Sequence, residues 1–193
     1  IMHLAVGTSF SIIIPTSIAS TLTHMKFKAV NISLVKSYGF YVVFGVFIGT
    51  IFAASLKTAD LILFFSIVTF ILSFYFLISK EKGDSKPRKI KLFIKIFIGL
   101  VAGFFSAPMG IAGGVINTPF FKIFGYPINV AIGTSAAIGF LIAIAGTLGF
   151  LLTGNYLNIN APFSLGFINI PAFLVFVPIT TLMAKVGAKV VHK

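Results

Sequence analysis

The chain has 193 residues, of which 58% are hydrophobic and only 9% are charged, whereas soluble domains carry about 25% charged residues. A soluble fold is therefore excluded, and most of the chain must contact the lipid bilayer. The formal net charge is +12, and the basic residues lie between long apolar runs. This arrangement favours contact with anionic headgroups over nucleic-acid binding. The absence of Cys excludes disulfides and thiol chemistry. We expect no cofactor and no metal site.

Six apolar stretches follow one another, at residues 4–23, 37–56, 61–79, 92–126, 130–153 and 166–184. The first is rich in Ser and Thr and contains Pro15. The second carries glycines, two of them four residues apart (Gly45 and Gly49), a spacing that permits close helix packing. The third is rich in Phe, Leu and Ile, which predicts a lipid-facing span. A polar, basic linker at 80–91 divides the chain into a first half, 1–79, with three membrane helices, and a second half, 92–193.

A short motif occurs twice, as AVGTS at residues 5–9 and as AIGTS at residues 131–135. Each copy opens an apolar stretch that is rich in Ser, Thr and Gly. Internal repeats of this kind are common in transporters. We interpret the motif as the mark of an internal repeat.

The basic residues predict how the fourth stretch, 92–126, is arranged. If it crossed the membrane once, Lys122 and the basic C-terminal residues would lie opposite the basic linker, against the positive-inside tendency. If it instead enters, breaks between Pro108 and Gly114 and leaves on the same side, every Lys and Arg except Lys57 falls on one face. We therefore predict an all-α polytopic membrane bundle with an inverted internal repeat. Its second half would consist of a re-entrant, broken helical hairpin at about 92–126 and two further membrane helices, with the basic loops in the cytoplasm.

Several groups of residues resemble the sulfite exporter TauE/SafE family of membrane permeases. They are residues 3–9 (HLAVGTS), 14–17 (IPTS), 107–114 (APMGIAGG) with Pro119, 133–136 (GTSA), 164–167 (SLGF) with Pro171, and 187–189 (GAK) with His192. The resemblance covers nearly the whole chain. It implies a multi-pass permease of the cell membrane that moves sulfite-type sulfur oxyanions or organosulfonates by alternating access.

The chain departs from the family pattern at both ends. Members usually carry a Gly-rich segment before the first Gly-Thr-Ser helix and a further span after the Gly-Ala-Lys motif. We therefore expect the chain to be a fragment of a longer protein. Ala112 also stands where many members have Gly.

The glycine-rich segment beside Pro108 is the first candidate substrate site. Gly110, Gly113 and Gly114 permit an unwound backbone, and a half-helix that begins at such a break presents free N–H groups and a positive dipole end to an anion. The alternative is a close-packed glycine kink. Asn117 follows the break and either binds the substrate or satisfies the kink.

The two Gly-Thr-Ser groups are the second candidate, with Gly7, Thr8 and Ser9 in one half and Gly133, Thr134 and Ser135 in the other. Their hydroxyl groups could donate to sulfite or sulfonate oxygens. Alternatively, they bond to their own helix carbonyls or join helices together. The apolar stretches contain no Asp or Glu, which excludes a carboxylate proton relay there and suits an anionic cargo.

Three further interpretations stay open. His24 either titrates during proton-coupled transport or is an interfacial residue. The substrate is either a sulfur oxyanion or another small anion such as a carboxylate, and the chain could also be a non-transporting membrane scaffold subunit. We expect no enzyme, because His residues at helix ends and the lack of Cys offer neither a nucleophile–base pair nor a metal cluster at depth. The sequence leaves the oligomeric state open.

Overall fold

The computed structural model describes residues 2–78, 87–157 and 162–192 and is almost entirely helical. Its helices are α1 (Met2–Lys26), α2 (Ile32–Ser55), α3 (Thr58–Ile78), α4 (Leu92–Met109), α5 (Gly114–Ile123), α6 (Ile128–Tyr156) and α7 (Ile170–Val190). All but α5 are long and apolar enough to cross a membrane. The prediction of an all-α polytopic membrane bundle is therefore confirmed.

The predicted start of the last membrane helix is corrected. The last apolar stretch becomes helical at Ile170, because a short β-hairpin of β1 (Ser164–Leu165) and β2 (Ile168–Asn169) precedes α7. The Asn169 side chain then caps α7 by accepting from the Ala172 N–H. Most of the linker at 80–91 lies outside the described residues.

Glycines allow α2 and α4 to pack closely and fix their relative direction. Gly45 lies against the backbone of Leu100, and Gly49 lies against Phe104 and Ala107. Because the contacts advance along both helices together, α2 and α4 run parallel. Close backbone approach at small residues is the usual basis of helix association in lipid. The predicted lipid-facing character of α3 is also confirmed, since Leu61 is the one residue of that helix that is buried.

The fourth apolar stretch forms the expected broken hairpin. The backbone leaves α4 through Gly110 (φ 65°) and enters α5 through Gly113 (φ 66°), both left-handed conformations that favour glycine. At the other end of α5, the Phe124 carbonyl accepts a hydrogen bond of 2.9 Å from the Arg88 N–H, just before α4. The hairpin therefore returns to the end of the bundle from which it started.

The break lies at depth within the bundle, away from its two ends. Gly49, which packs on Ala107, is six residues from the end of α2, a distance of about 9 Å along the helix. Gly110 packs on Val6 and Ser9, in the second and third turns of α1. The glycine segment and the end of α4 therefore contact α1, α2 and α6 at membrane depth.

The described basic residues gather at one end of the bundle, which we call the basic end. It contains the C-terminal ends of α1, α5 and α7 and the N-terminal ends of α2, α4 and α6, with Lys26, Lys28, Lys36, Arg88, Lys89, Lys91, Lys95, Lys122, Lys185 and Lys189. Lys57, between α2 and α3, lies at the opposite end. The broken hairpin produces this segregation.

Paired contacts relate α1 to α6 and α2 to α7. Gly7 on α1 packs on the carbonyl of Phe167, two residues before the cap of α7, and Gly133 on α6 packs on the carbonyl of Ala29, two residues before the cap of α2. Because α1 and α6 begin at opposite ends of the bundle, the two halves are inverted.

Hydrogen bonds at the helix caps repeat the same pairing. The Thr8 Oγ1 accepts from the Asn169 N–H at 2.8 Å, and the Thr134 Oγ1 accepts from the Asn31 N–H at 3.0 Å. Asn31 caps α2 as Asn169 caps α7. The Gly-Thr-Ser motif on α1, in the first half, therefore bonds to the start of α7 in the second half. The motif on α6, in the second half, bonds to the start of α2 in the first half.

Cysteine labelling tests the direction of the chain. The protein contains no Cys, so single Cys residues at Lys89, Lys57 and Asn155 can be labelled without background. We expect an impermeant thiol reagent to modify Lys89→Cys from one side of the membrane and the other two variants from the opposite side. Modification of Lys89→Cys and Asn155→Cys from the same side would contradict the hairpin. Ser85, another choice for the basic side, lies outside the described residues.

Candidate functional site

The N-terminal end of α5 faces unfilled space at the break. The Gly113 N-cap makes no side-chain capping bond, and the first amides of a helix have no acceptor within the helix. A Cβ atom added to Gly114 would meet nothing within 4 Å, and Val115 is 40% exposed. The positive dipole end of α5, which has no side-chain cap, therefore lies beside an open region.

A buried amide lies next to this open region. Asn117 is fully buried, and its Oδ1 accepts a hydrogen bond of 2.8 Å from the Tyr38 hydroxyl. Its Nδ2 is buried and has no partner among the described residues. This nitrogen would lie only 3.0 Å from a Cβ atom on Gly113. The arrangement places an unused N–H donor beside the glycine break.

The hydroxyl groups of the first Gly-Thr-Ser group make structural hydrogen bonds. The Thr8 hydroxyl donates to the Leu4 carbonyl and accepts from Asn169, so its proton is already engaged. The Ser9 hydroxyl donates to the Gly110 carbonyl at 2.7 Å. One turn of α1 thus holds both the cap of α7 and the backbone of the break.

The second Gly-Thr-Ser group lies elsewhere. Gly133 packs on His24 and Ala29 near the basic end, whereas Ser9 packs on Gly110. Ser9 and His24 are fifteen residues apart on α1, a distance of about 22 Å along the axis. The two groups therefore do not converge on one ligand. Ser135 differs from the other three hydroxyl residues in having a buried Oγ without a partner within the described chain.

The structure brings part of the predicted site together. Ser9, Pro108, Gly110, Gly113, Gly114 and Asn117 surround the break, with Pro108 buried in the last turn of α4. Gly7 and Thr8 lie in the same turn of α1 as Ser9 but at the cap of α7, while Gly133, Thr134 and Ser135 lie toward the basic end. Tyr38 was missed by sequence reasoning, because a lone Tyr in an apolar helix has no pattern that reveals its partner.

A groove of about 730 Å³ between α1 and α7 adjoins the break. Its polar lining consists of Thr8, Ser9, Thr16, Asn169 and Thr180, and the rest is apolar. Thr16 and Thr180 join the two helices through a hydrogen bond of 2.9 Å. Ser9 lies between the two regions, because it lines the groove and donates to the Gly110 carbonyl at the break.

His24 occupies the basic end but is not a loosely placed interfacial residue. It is 1% exposed, and its Nδ1 lies 2.8 Å from the Nε2 of His192, which follows α7. His192 in turn stacks on Phe27. The contact between His24 and His192 joins the C-terminal ends of α1 and α7. No group of three or more His, Cys, Asp or Glu suited to a metal ion occurs among the described residues.

Six candidate spans, an inverted repeat and a broken hairpin at membrane depth are typical of secondary transporters, and the comparisons agree with this class. The family model described as "Sulfite exporter TauE/SafE" matches residues 1–193. The chain therefore belongs to the TauE/SafE family of membrane transporters.

Its relatives include three proteins named as probable membrane transporters. The one from Haemophilus influenzae is 28% identical over 193 residues, which cover 100% of this chain and 73% of the relative. The one from Methanocaldococcus jannaschii is 28% identical over 192 residues, or 98% and 70% of the two chains. The protein YunE of Bacillus subtilis is 26% identical over 172 residues, or 79% and 63%. No solved structure matches the chain.

Replacement of Thr134 tests whether its hydroxyl is structural. Thr134→Val removes the acceptor of the Asn31 N–H, and an unsatisfied buried donor costs about 1–3 kcal/mol. We expect a lower midpoint of thermal unfolding in detergent and an unchanged KM for transport. Thr153→Val is the matched control, because the Thr153 hydroxyl, also on α6, bonds only to carbonyls of its own helix. A raised KM with normal stability would make Thr134 a substrate ligand instead.

Proposed function

We propose that the chain forms the core of a permease for small sulfur oxyanions or organosulfonates, and that the anion binds at the N-terminal end of α5. The observation that carries the proposal is the break at Gly110–Gly113, where α5 begins without a side-chain cap and the space beside Gly114 is open. The unpaired Nδ2 of Asn117 adds a second donor at the same place. The choice of sulfur compounds as the substrate class rests on family membership alone.

The electrostatics of the bundle favour a negative substrate. The described spans contain one carboxylate, Asp60 in the first turn of α3, at the end opposite the basic end. A helix N-terminus carries a partial positive charge of about half an elementary unit. In a region of low dielectric this charge is screened little. An anion that reaches the break therefore meets attraction from α5 without repulsion from a nearby acid.

The inverted repeat supports alternating access. Repeats of opposite orientation can exchange conformations, so that a site between them opens first to one side and then to the other. The Ser9 and Thr8 hydrogen bonds connect the hairpin and α7 to the same turn of α1. Movement of α1 relative to α6 would therefore displace the hairpin and α7 together.

A permease for another small anion, such as a carboxylate, is the second candidate. The amides at the break would bind a carboxylate as well as a sulfonate. The two candidate substrates are therefore distinguished by comparing their rates of transport. We expect proteoliposomes containing the purified protein to transport sulfite, thiosulfate or sulfoacetate faster than acetate or succinate. The same assay with an imposed pH gradient tests proton coupling. Faster carboxylate flux would support the second candidate, and no flux of any anion would support a scaffold role.

Substitution at Gly114 tests the site. Gly114→Leu keeps an ordinary helical backbone but fills the open space beside the α5 amides, and loss of a hydrogen bond to a charged group costs about 1.5–3 kcal/mol. We expect transport to fall at least about tenfold with normal membrane insertion. Gly187→Leu is the matched control, since Gly187 on α7 also has nothing within 4 Å. Gly113→Leu is unsuitable, because φ is 66° and Ile142 lies close by. Equal, near-normal flux in both variants would remove Gly114 from the site.

The Asn117 amide is tested by a change of charge. Asn117→Asp keeps an acceptor for the Tyr38 hydroxyl but replaces the unused N–H donor by a second oxygen, which repels an anion. We expect KM for the transported anion to rise at least about tenfold. Tyr38→Phe is the comparison, because it removes the other partner of the same hydrogen bond and leaves the amide donor in place. If both variants change KM alike, Asn117 acts only through its bond with Tyr38.

A further inference from the structure

A second groove lies between α1 and α7 at the basic end, separate from the break. It has a volume of about 670 Å³ and is lined by Ala19, Leu22, Thr23, Met25, Lys26, Phe27, Lys185 and Lys189. Leu22 and Met25 are exposed although they are apolar. The groove therefore has an apolar floor within the span and lysines where the two helices leave it.

The lysines stand together on the rim of this groove. Lys185 and Lys189 are one turn apart on α7 and so share a face of the helix, and Lys26 ends α1. All three side chains are exposed. No carboxylate in the described part of the chain lies at this end, since Asp60 is at the other. Lysine stems can lie along an apolar surface while the ammonium groups reach a polar layer.

The inverted repeat indicates what covers the groove. The corresponding positions on α6 and α2 are Leu148, Leu152, Phe47 and Ile51, which match Leu22, Lys26, Lys185 and Lys189. These four counterparts are exposed and entirely apolar, although the second half includes its broken hairpin. The broken hairpin therefore does not cover these four counterparts, and in a membrane the four side chains face acyl chains. The same surface in the other copy carries three lysines in place of apolar residues.

We propose that this groove is a binding site for an anionic phospholipid of the leaflet at the basic end. One acyl chain lies along Leu22 and Met25, and the phosphate is held by Lys26, Lys185 and Lys189. Basic pockets between membrane helices bind anionic headgroups in this way, and each lysine near such a headgroup is worth about fivefold in affinity. The proposal is independent of the substrate site.

Lipid binding by native mass spectrometry tests the proposal with the purified protein in detergent. Phosphatidylglycerol, phosphatidylcholine and inorganic phosphate are titrated separately. We expect one phosphatidylglycerol molecule to bind at concentrations where phosphatidylcholine does not, and inorganic phosphate to compete weakly, because it lacks the acyl chain. The triple variant Lys26→Gln, Lys185→Gln, Lys189→Gln should weaken phosphatidylglycerol binding at least about tenfold.

The matched control removes the same charge from the same end outside the groove, with Lys36→Gln, Lys89→Gln and Lys91→Gln. It should retain phosphatidylglycerol affinity within about twofold. Leu22→Trp fills the apolar floor without changing charge and should also weaken binding, which keeps the test decisive if the groove triple fails to fold. Equal losses in the two triple variants, or equal binding of the two lipids, would overturn the proposal.

Discussion

The demand for hydrogen bonds by backbone groups within a bilayer governs this structure. A helix can be interrupted at membrane depth only where protein or water satisfies the exposed amides and carbonyls. At the break, the Gly110 carbonyl accepts from the Ser9 hydroxyl, and the Gly110 and Ile111 N–H groups bond back to Ala107 and Ser106. The amides that begin α5 are the groups left over. Contact of the break with α1, α2 and α6 is therefore a condition of its existence, and the leftover amides are the groups that we propose bind the anion.

The two Gly-Thr-Ser motifs fasten the inverted halves to each other. Each glycine admits a backbone carbonyl that a Cβ atom would exclude, and each threonine satisfies the amide of an asparagine cap. The bonds connect residues that are distant in sequence, Thr8 with Asn169 and Thr134 with Asn31. Ser9 adds the link to the hairpin. The repeated motif thus has a structural basis that does not require direct contact with substrate.

The sequence predicted the bundle, the break and the segregation of charge for physical reasons that act locally or by composition. Apolar runs of membrane length predict spans, and the positive-inside tendency required residues 92–126 to turn back. The partners of particular side chains were not predictable, because they depend on which helices meet. The sequence therefore left open whether Thr8 and Thr134 bind substrate or make structural bonds. The structure separates the two residues and engages both hydroxyls with helix caps. The burial of His24 against His192, the Tyr38–Asn117 bond and the lysine-rimmed groove likewise follow from tertiary packing alone.

A disulfide across the mouth of the hairpin tests the central claim most directly. The Arg88 N–H and the Phe124 carbonyl are hydrogen-bonded, which places the two Cα atoms roughly 5 to 6 Å apart, within reach of a disulfide. The account predicts that Arg88→Cys with Phe124→Cys forms an intramolecular disulfide under mild oxidation in the membrane. A single crossing would separate these residues by roughly the 30 Å of the hydrocarbon core. Free thiols in the folded, oxidant-treated double variant would contradict the account.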